Sequence, residues 1–143
     1  MTTSGTLLDL LDQGSPDAAA IVVPGGVRLT YRALREQVTA AADELARLGL
    51  GRGDRIALVL PNGAEAVMLF LAAATTGTAA PLNAAYKEEE FRFYLEDTGA
   101  RALVVPPGGR RADRVLDRGR WPARPGKPGR PRRFAIHEHA TGR

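Results

Sequence analysis

The spacing of apolar residues changes several times along the chain, and each change marks an element. Apolar "AAAIVV" (18–23) and "VRLTY" (27–31) flank Pro24, Gly25 and Gly26, which predicts a short hairpin closed by turn residues. From Thr30 the period becomes helical. Leu34, Val38, Ala41, Leu45 and Leu48 fall on one face, with Thr30 as N-cap and Gly49 as stop. "RIALVL" (55–60) is a continuous apolar run too short for a helix, as expected of a strand covered on both faces. Asn62 followed by Glu65 reads as a capping box opening a helix over 63–76, which is apolar nearly all round and therefore expected to be buried. "TAAPLN" (78–83) is the next extended segment. Glu88, Glu89 and Glu90 suit the positive end of a helix whose inner face carries Phe91, Tyr94 and Leu95, and which Gly99 ends before the strand "RALVV" (101–105). At the amino terminus, "MTTSGTLLDLLDQ" fits a short amphipathic helix.

Helices alternating with short apolar strands point to an α/β protein with a mainly parallel sheet and helices on its faces. The pattern stops near Pro106. Over 110–143, Arg, Pro, Gly and Ala supply 22 of 34 positions, with no apolar cluster to found a core, so two units are expected: a folded part over 6–107 and a disordered basic tail over 108–143. Charge divides at the same place. Residues 1–109 carry 9 Lys+Arg against 13 Asp+Glu, or −4, whereas 110–143 carry 11 against 3, or +8. The overall +4 belongs wholly to the tail.

The absence of cysteine rules out disulfides, thiolate catalysis and cysteine-ligated metal. Asp9 and Asp12 among the first leucines, with no positive n-region before them, argue against an export signal, and a cytoplasmic location is expected. Residues 66–86 carry no charge, but the truly apolar part of that stretch, Ala66 to Ala74, falls short of the ~20 residues of a spanning helix.

Several strings imitate functional loops. "TTSGT" (Thr2–Thr6) and "TTGT" (Thr75–Thr78) are rich in hydroxyls and glycine, yet neither is followed by the lysine of a phosphate loop, so both read as structural. "GLGRG" (Gly49–Gly53) leads from helix to strand, the reverse of a dinucleotide site, and reads as a turn. His137 and His139, the only histidines, would need further ligands to close a metal site. The "EEE" run reads as a solvated helix start. In the tail, Pro122, Pro125, Pro128 and Pro131 recur every third residue, as in a polyproline II ligand, and "GRPRR" is similar to a minor-groove hook in which Pro128 replaces one arginine. Binding of nucleic acid through the tail is thus the alternative function. Codon composition supplies a plainer origin, since Arg, Pro, Gly and Ala are what GC-rich DNA yields when read out of frame, and Arg outnumbers Lys 18 to 2.

Residues 6–105 resemble the amino-terminal part of the AMP-forming acyl-CoA synthetases, within the adenylate-forming family. The resemblance rests on "PDAAAI", on "LTYRALREQVTAAADELARLGLGRGDRIALVLPNGAEAVMLFLAAATTGTAAPLN" and on "AYKEEEFRFYLEDTGARALVV". "LTYRAL" (Leu29–Leu34) and "TTGTAAPLN" (Thr75–Asn83) correspond to the family's two earliest core motifs, and the wording after Pro81 is similar to synthetases of the oxalate or medium-chain type. The resemblance implies an incomplete doubly wound fold and, for an intact enzyme, a ligase using ATP, Mg2+ and coenzyme A to activate a carboxylate through an acyl-adenylate. The family's Pro-Lys-Gly nucleotide loop, its Tyr-Gly-x-Thr-Glu segment, its ribose-binding Asp and its carboxy-terminal lysine do not occur here. No catalytic, cofactor-binding or metal-binding residue is therefore assigned, and the expectation is a truncated, inactive ligase segment with an out-of-frame or truncated ending. Apolar faces left uncovered would favour self-association.

Overall fold

The computed structural model describes residues 5–106 and 135–138. Thr6 opens helix α1 (Leu7–Leu11) through a reciprocal cap: its hydroxyl accepts from the Asp9 N–H, and the Asp9 carboxylate accepts from the Thr6 N–H at 2.7 Å. Strands β1 (Ala19–Val22) and β2 (Arg28–Thr30) form the expected antiparallel hairpin. Gly25 takes the positive φ that its turn requires.

Helix α2 (Tyr31–Arg47) begins where Thr30 Oγ1 accepts from the Ala33 N–H. Leu34, Val38 and Leu45 are its buried positions, as the apolar spacing dictates. A left-handed Gly49 follows, and the chain enters β3 (Arg55–Leu58). Helix α3 (Ala64–Thr76), β4 (Thr78–Pro81), α4 (Glu88–Thr98) and β5 (Ala102–Val105) complete the alternation. Gly99, in the left-handed region, caps α4 as the sequence requires.

The main sheet has the order β4-β3-β5-β6, where β6 is Ala135–Glu138. Strands β4 and β5 both run parallel to β3, with Ile56 opposite Ala79 on one side and Ala102 on the other. Alternate residues of the central strands feed two cores. Ile56, Leu58, Ala102 and Val104 pack with α2 and α3, while Ala57, Val59, Leu103 and Val105 pack with Phe91 and Leu95 of α4. This two-sided burial explains the uninterrupted apolar runs in β3 and β5.

Three expectations are corrected. Asn62 does not cap α3; the N-cap is Gly63, with extended backbone and no side-chain cap. The capping-box spacing was present, but the chain turns into the helix one residue later. Helix α3 is not buried all round, because Val67 and Phe70 remain 45% and 40% exposed on its outer side. Finally, part of the stretch expected to be disordered is a strand: β6 pairs antiparallel with β5, Ala135 opposite Val105 and Glu138 opposite Ala102. Edge pairing satisfies backbone groups of β5 whatever the strand's side chains, so four residues need no periodic pattern to join the sheet. The disorder expected for the rest of 108–143 lies outside the described residues.

Candidate functional site

Open parallel sheets bind ligands beyond the carboxyl ends of their strands. Here that edge is formed by Pro61–Gly63 after β3, the segment Leu82–Tyr86 after β4, and Pro106 after β5. Leu82 is held to the strand end by donating its N–H to the Leu58 carbonyl. Asn83 shapes the next turn, its side-chain oxygen accepting from Ala85 N–H and its carbonyl from Tyr86 N–H. The turn presents Tyr86 to α4. Its ring stacks on Tyr94 with centroids 5.0 Å apart and meets Phe91 edge-on at 5.8 Å. The hydrogen bond with Tyr94, then burial and the nearby Tyr94 and Glu90, push the Tyr86 phenol above its usual range. It is a neutral hydroxyl at physiological pH.

At the opposite, amino edge lies the best-defined charged constellation. Asp54 and Arg101 immediately precede the parallel strands β3 and β5, and their side chains meet at 3.0 and 3.1 Å. Asp54 also accepts from the Gly51 N–H at 2.8 Å, and that backbone bond, with the Arg101 guanidinium, holds its carboxyl below the ordinary range. The sequence signal for this pair was the recurrence of an opposite charge just before each of two apolar runs. It was missed because neighbours in a parallel sheet are distant in sequence. Gly77 passes against the same loop, and a Cβ there would lie 2.5 Å from the Asp54 carbonyl oxygen and 2.8 Å from that of Gly51. The glycine of "TTGT" is thus needed for close packing.

The other strings resolve in the same sense. Thr75 Oγ1 donates to the Leu71 carbonyl, and Thr76 Oγ1 to those of Ala72 and Ala42, so these hydroxyls tie α3 to itself and to α2. Gly49–Gly53 is a turn, with Asp54 N–H donating to Gly51 O. The glutamates 88–90 open α4, where Glu90 accepts from the Lys87 N–H at 2.7 Å. Thr6 is a helix cap, while Thr2 to Ser4 lie outside the described residues. His137 sits in β6 opposite Leu103, and His139 lies outside the described residues. Among the described residues, no group of three His, Cys, Asp or Glu converges to hold a metal ion. None of their helices is long and apolar enough to cross a membrane.

The architecture, three parallel strands with helices on both faces, matches the amino-terminal domain of adenylate-forming enzymes. The sequence matches the family described as AMP-binding enzyme over residues 11–132, and the chain belongs to that family. It is 42% identical over 119 residues to a probable CoA ligase, CCL9, of Humulus lupulus, covering 80% of this chain and 23% of that protein. It is likewise 42% identical over 110 residues to the oxalate–CoA ligase of Arabidopsis thaliana, covering 76% of this chain and 21% of that one. Among solved structures, the N-terminal domain of FACL13 from Mycobacterium tuberculosis superposes with a TM-score of 0.62 at 36% identity, covering 67% of this chain and 25% of the other. The chain therefore spans between a fifth and a quarter of these curated relatives. The resemblance read from the sequence ends near Val105, whereas the family match continues to residue 132, so most of the basic stretch falls inside it.

Proposed function

We propose that this chain supplies the amino-terminal scaffold of an acid–thiol ligase. In the intact reaction a carboxylate oxygen attacks the α-phosphorus of ATP, pyrophosphate leaves, and the thiol of coenzyme A then displaces AMP from the acyl-adenylate. Mg2+ and cationic side chains would neutralise the phosphates in such a reaction. The 143 residues alone do not perform it. The observation that carries this reading is how the two family motifs are used. Thr30 caps α2, Thr76 bonds to carbonyls of α3 and α2, and Gly77 packs on the Asp54 loop, so each motif holds scaffold together.

Substitution of residues 6–105 for the equivalent segment of the Arabidopsis oxalate–CoA ligase tests the reading. A folded chimera is expected to retain oxalate-dependent AMP release. A chimera that folds with the parent's helix content and melting behaviour yet releases no AMP would overturn it.

A further inference from the structure

Of the described helices, α1 alone has no buried residue, and its five residues are too few to hold a helix in water unaided. Its place therefore depends on what it touches. Leu8 and Leu11 pack, half-buried, on the apolar cluster shared by α2 and α3, while Leu7 and Leu10 face outward, the latter 56% exposed. Arg35 of α2 supplies a polar grip. It donates to the Leu8 carbonyl at 2.7 Å and pairs with the Asp12 carboxylate at 2.8 Å, so one guanidinium group holds both a carbonyl of the helix and its C-cap residue.

The chain just beyond α1 is fixed by more than this. The first N–H groups of a helix have no partner within it, and those of Tyr31 and Arg32 at the start of α2 donate instead to the carbonyls of Ala18 and Pro16, at 3.1 and 3.0 Å. Arg32 also pairs with Asp17 at 3.2 Å, and the Tyr31 ring lies so close to Gly14 that a Cβ there would stand 2.7 Å from it. Residues 14–18 thus stay with α2, and the freedom left to α1 is that of residues 12 and 13. Two half-buried leucines and one partly exposed ion pair are all that oppose that freedom, the mark of a segment that opens at a far lower free energy than the core.

We propose that α1 is a strap over the α2–α3 cluster, released and reclosed about residues 12 and 13 while the sheet stays folded, with Arg35 as its latch. Open, it bares the apolar surface on which Leu8 and Leu11 rest. Amide hydrogen exchange of the full 143-residue chain, read residue by residue by NMR, tests this. The Leu10 and Asp12 N–H groups, bonded to the Thr6 and Leu8 carbonyls, report the strap; those of Val59 and Leu82, bonded to Val104 and Leu58 in the sheet, report the body. Strap amides are expected to be at least about a hundredfold less protected than body amides, yet slower than an unstructured peptide, and to change little in low denaturant because a local opening exposes little surface. Arg35→Gln should lower their protection by a further factor of roughly three to ten and leave Val59 and Leu82 unchanged, whereas Arg35→Lys, which keeps the charge and a donor, should recover part of the loss. Strap amides as protected as the body would overturn the proposal, since α1 would then leave only when everything unfolds. So would exchange at the peptide rate, which would mean that α1 never closes. An Arg35→Gln variant that changes none of the four amides, or all four equally, would remove Arg35 as the latch and the proposal with it.

Discussion

Single residues fix the amino edge of the sheet. Asp54 receives the Gly51 N–H and the Arg101 guanidinium, joining the loop before β3 to the start of β5. Asp54→Asn keeps the shape but loses the charge, and should lower stability at neutral pH by about 1 kcal/mol, since both partners are partly solvated. The pH dependence follows from the direction of the shift. A carboxyl held below its ordinary value of 3.8 contributes stability above that pH and loses it as pH falls through the lower, folded value. The difference in melting temperature between the wild type and Asp54→Asn should therefore shrink on acidification below the ordinary value, and an unchanged gap would contradict the pairing. Gly77→Ala acts on the same loop by steric means. Its methyl would collide with two carbonyl oxygens, and a loss of about 1–3 kcal/mol is expected by denaturant unfolding.

Among the elements, the helices divide by how their starts are made. Thr30→Ala removes the hydroxyl that caps α2 and should cost about 1 kcal/mol. Asn62→Ala, at the position that the sequence pattern singles out, should change stability by less than about 0.5 kcal/mol, because α3 is capped one residue later without a side chain. Chemical denaturation of the two variants side by side checks the contrast. The contrast also marks where the sequence was legible. In α2 the cap, the apolar stripe and the stop glycine agree, and the helix forms where they place it. For α3 the apolar residues show no period, so neither its first residue nor its exposed side, Val67 and Phe70, could be read. The strand β6 escaped notice for a related reason. An edge strand of four residues is specified by the backbone of its neighbour, and its own sequence carries little signal. The Asp54–Arg101 pair and the Tyr86–Tyr94 stack were equally hidden, because each depends on which segments the topology makes adjacent.

For the whole molecule, two buried clusters share one thin sheet, and the outer side of α3 adds an apolar patch in Val67 and Phe70. Exposed apolar patches promote association, so sedimentation of the purified chain should show a mean mass rising with concentration, and Val67→Ser with Phe70→Ser should reduce that rise. The family is legible throughout the first 105 residues in the order of its strings. The chemistry is not, since the two motifs that identify the family act here as a helix cap and a packing glycine. As proposed above, these residues are scaffold, and activation of a carboxylate would need groups beyond them. The direct measurement is AMP release by the purified 143-residue chain supplied with ATP, Mg2+, coenzyme A and a panel of carboxylates including oxalate and medium-chain acids. Release no faster than in the absence of protein is expected. Carboxylate-dependent AMP formation that follows the chain through purification would contradict the scaffold role.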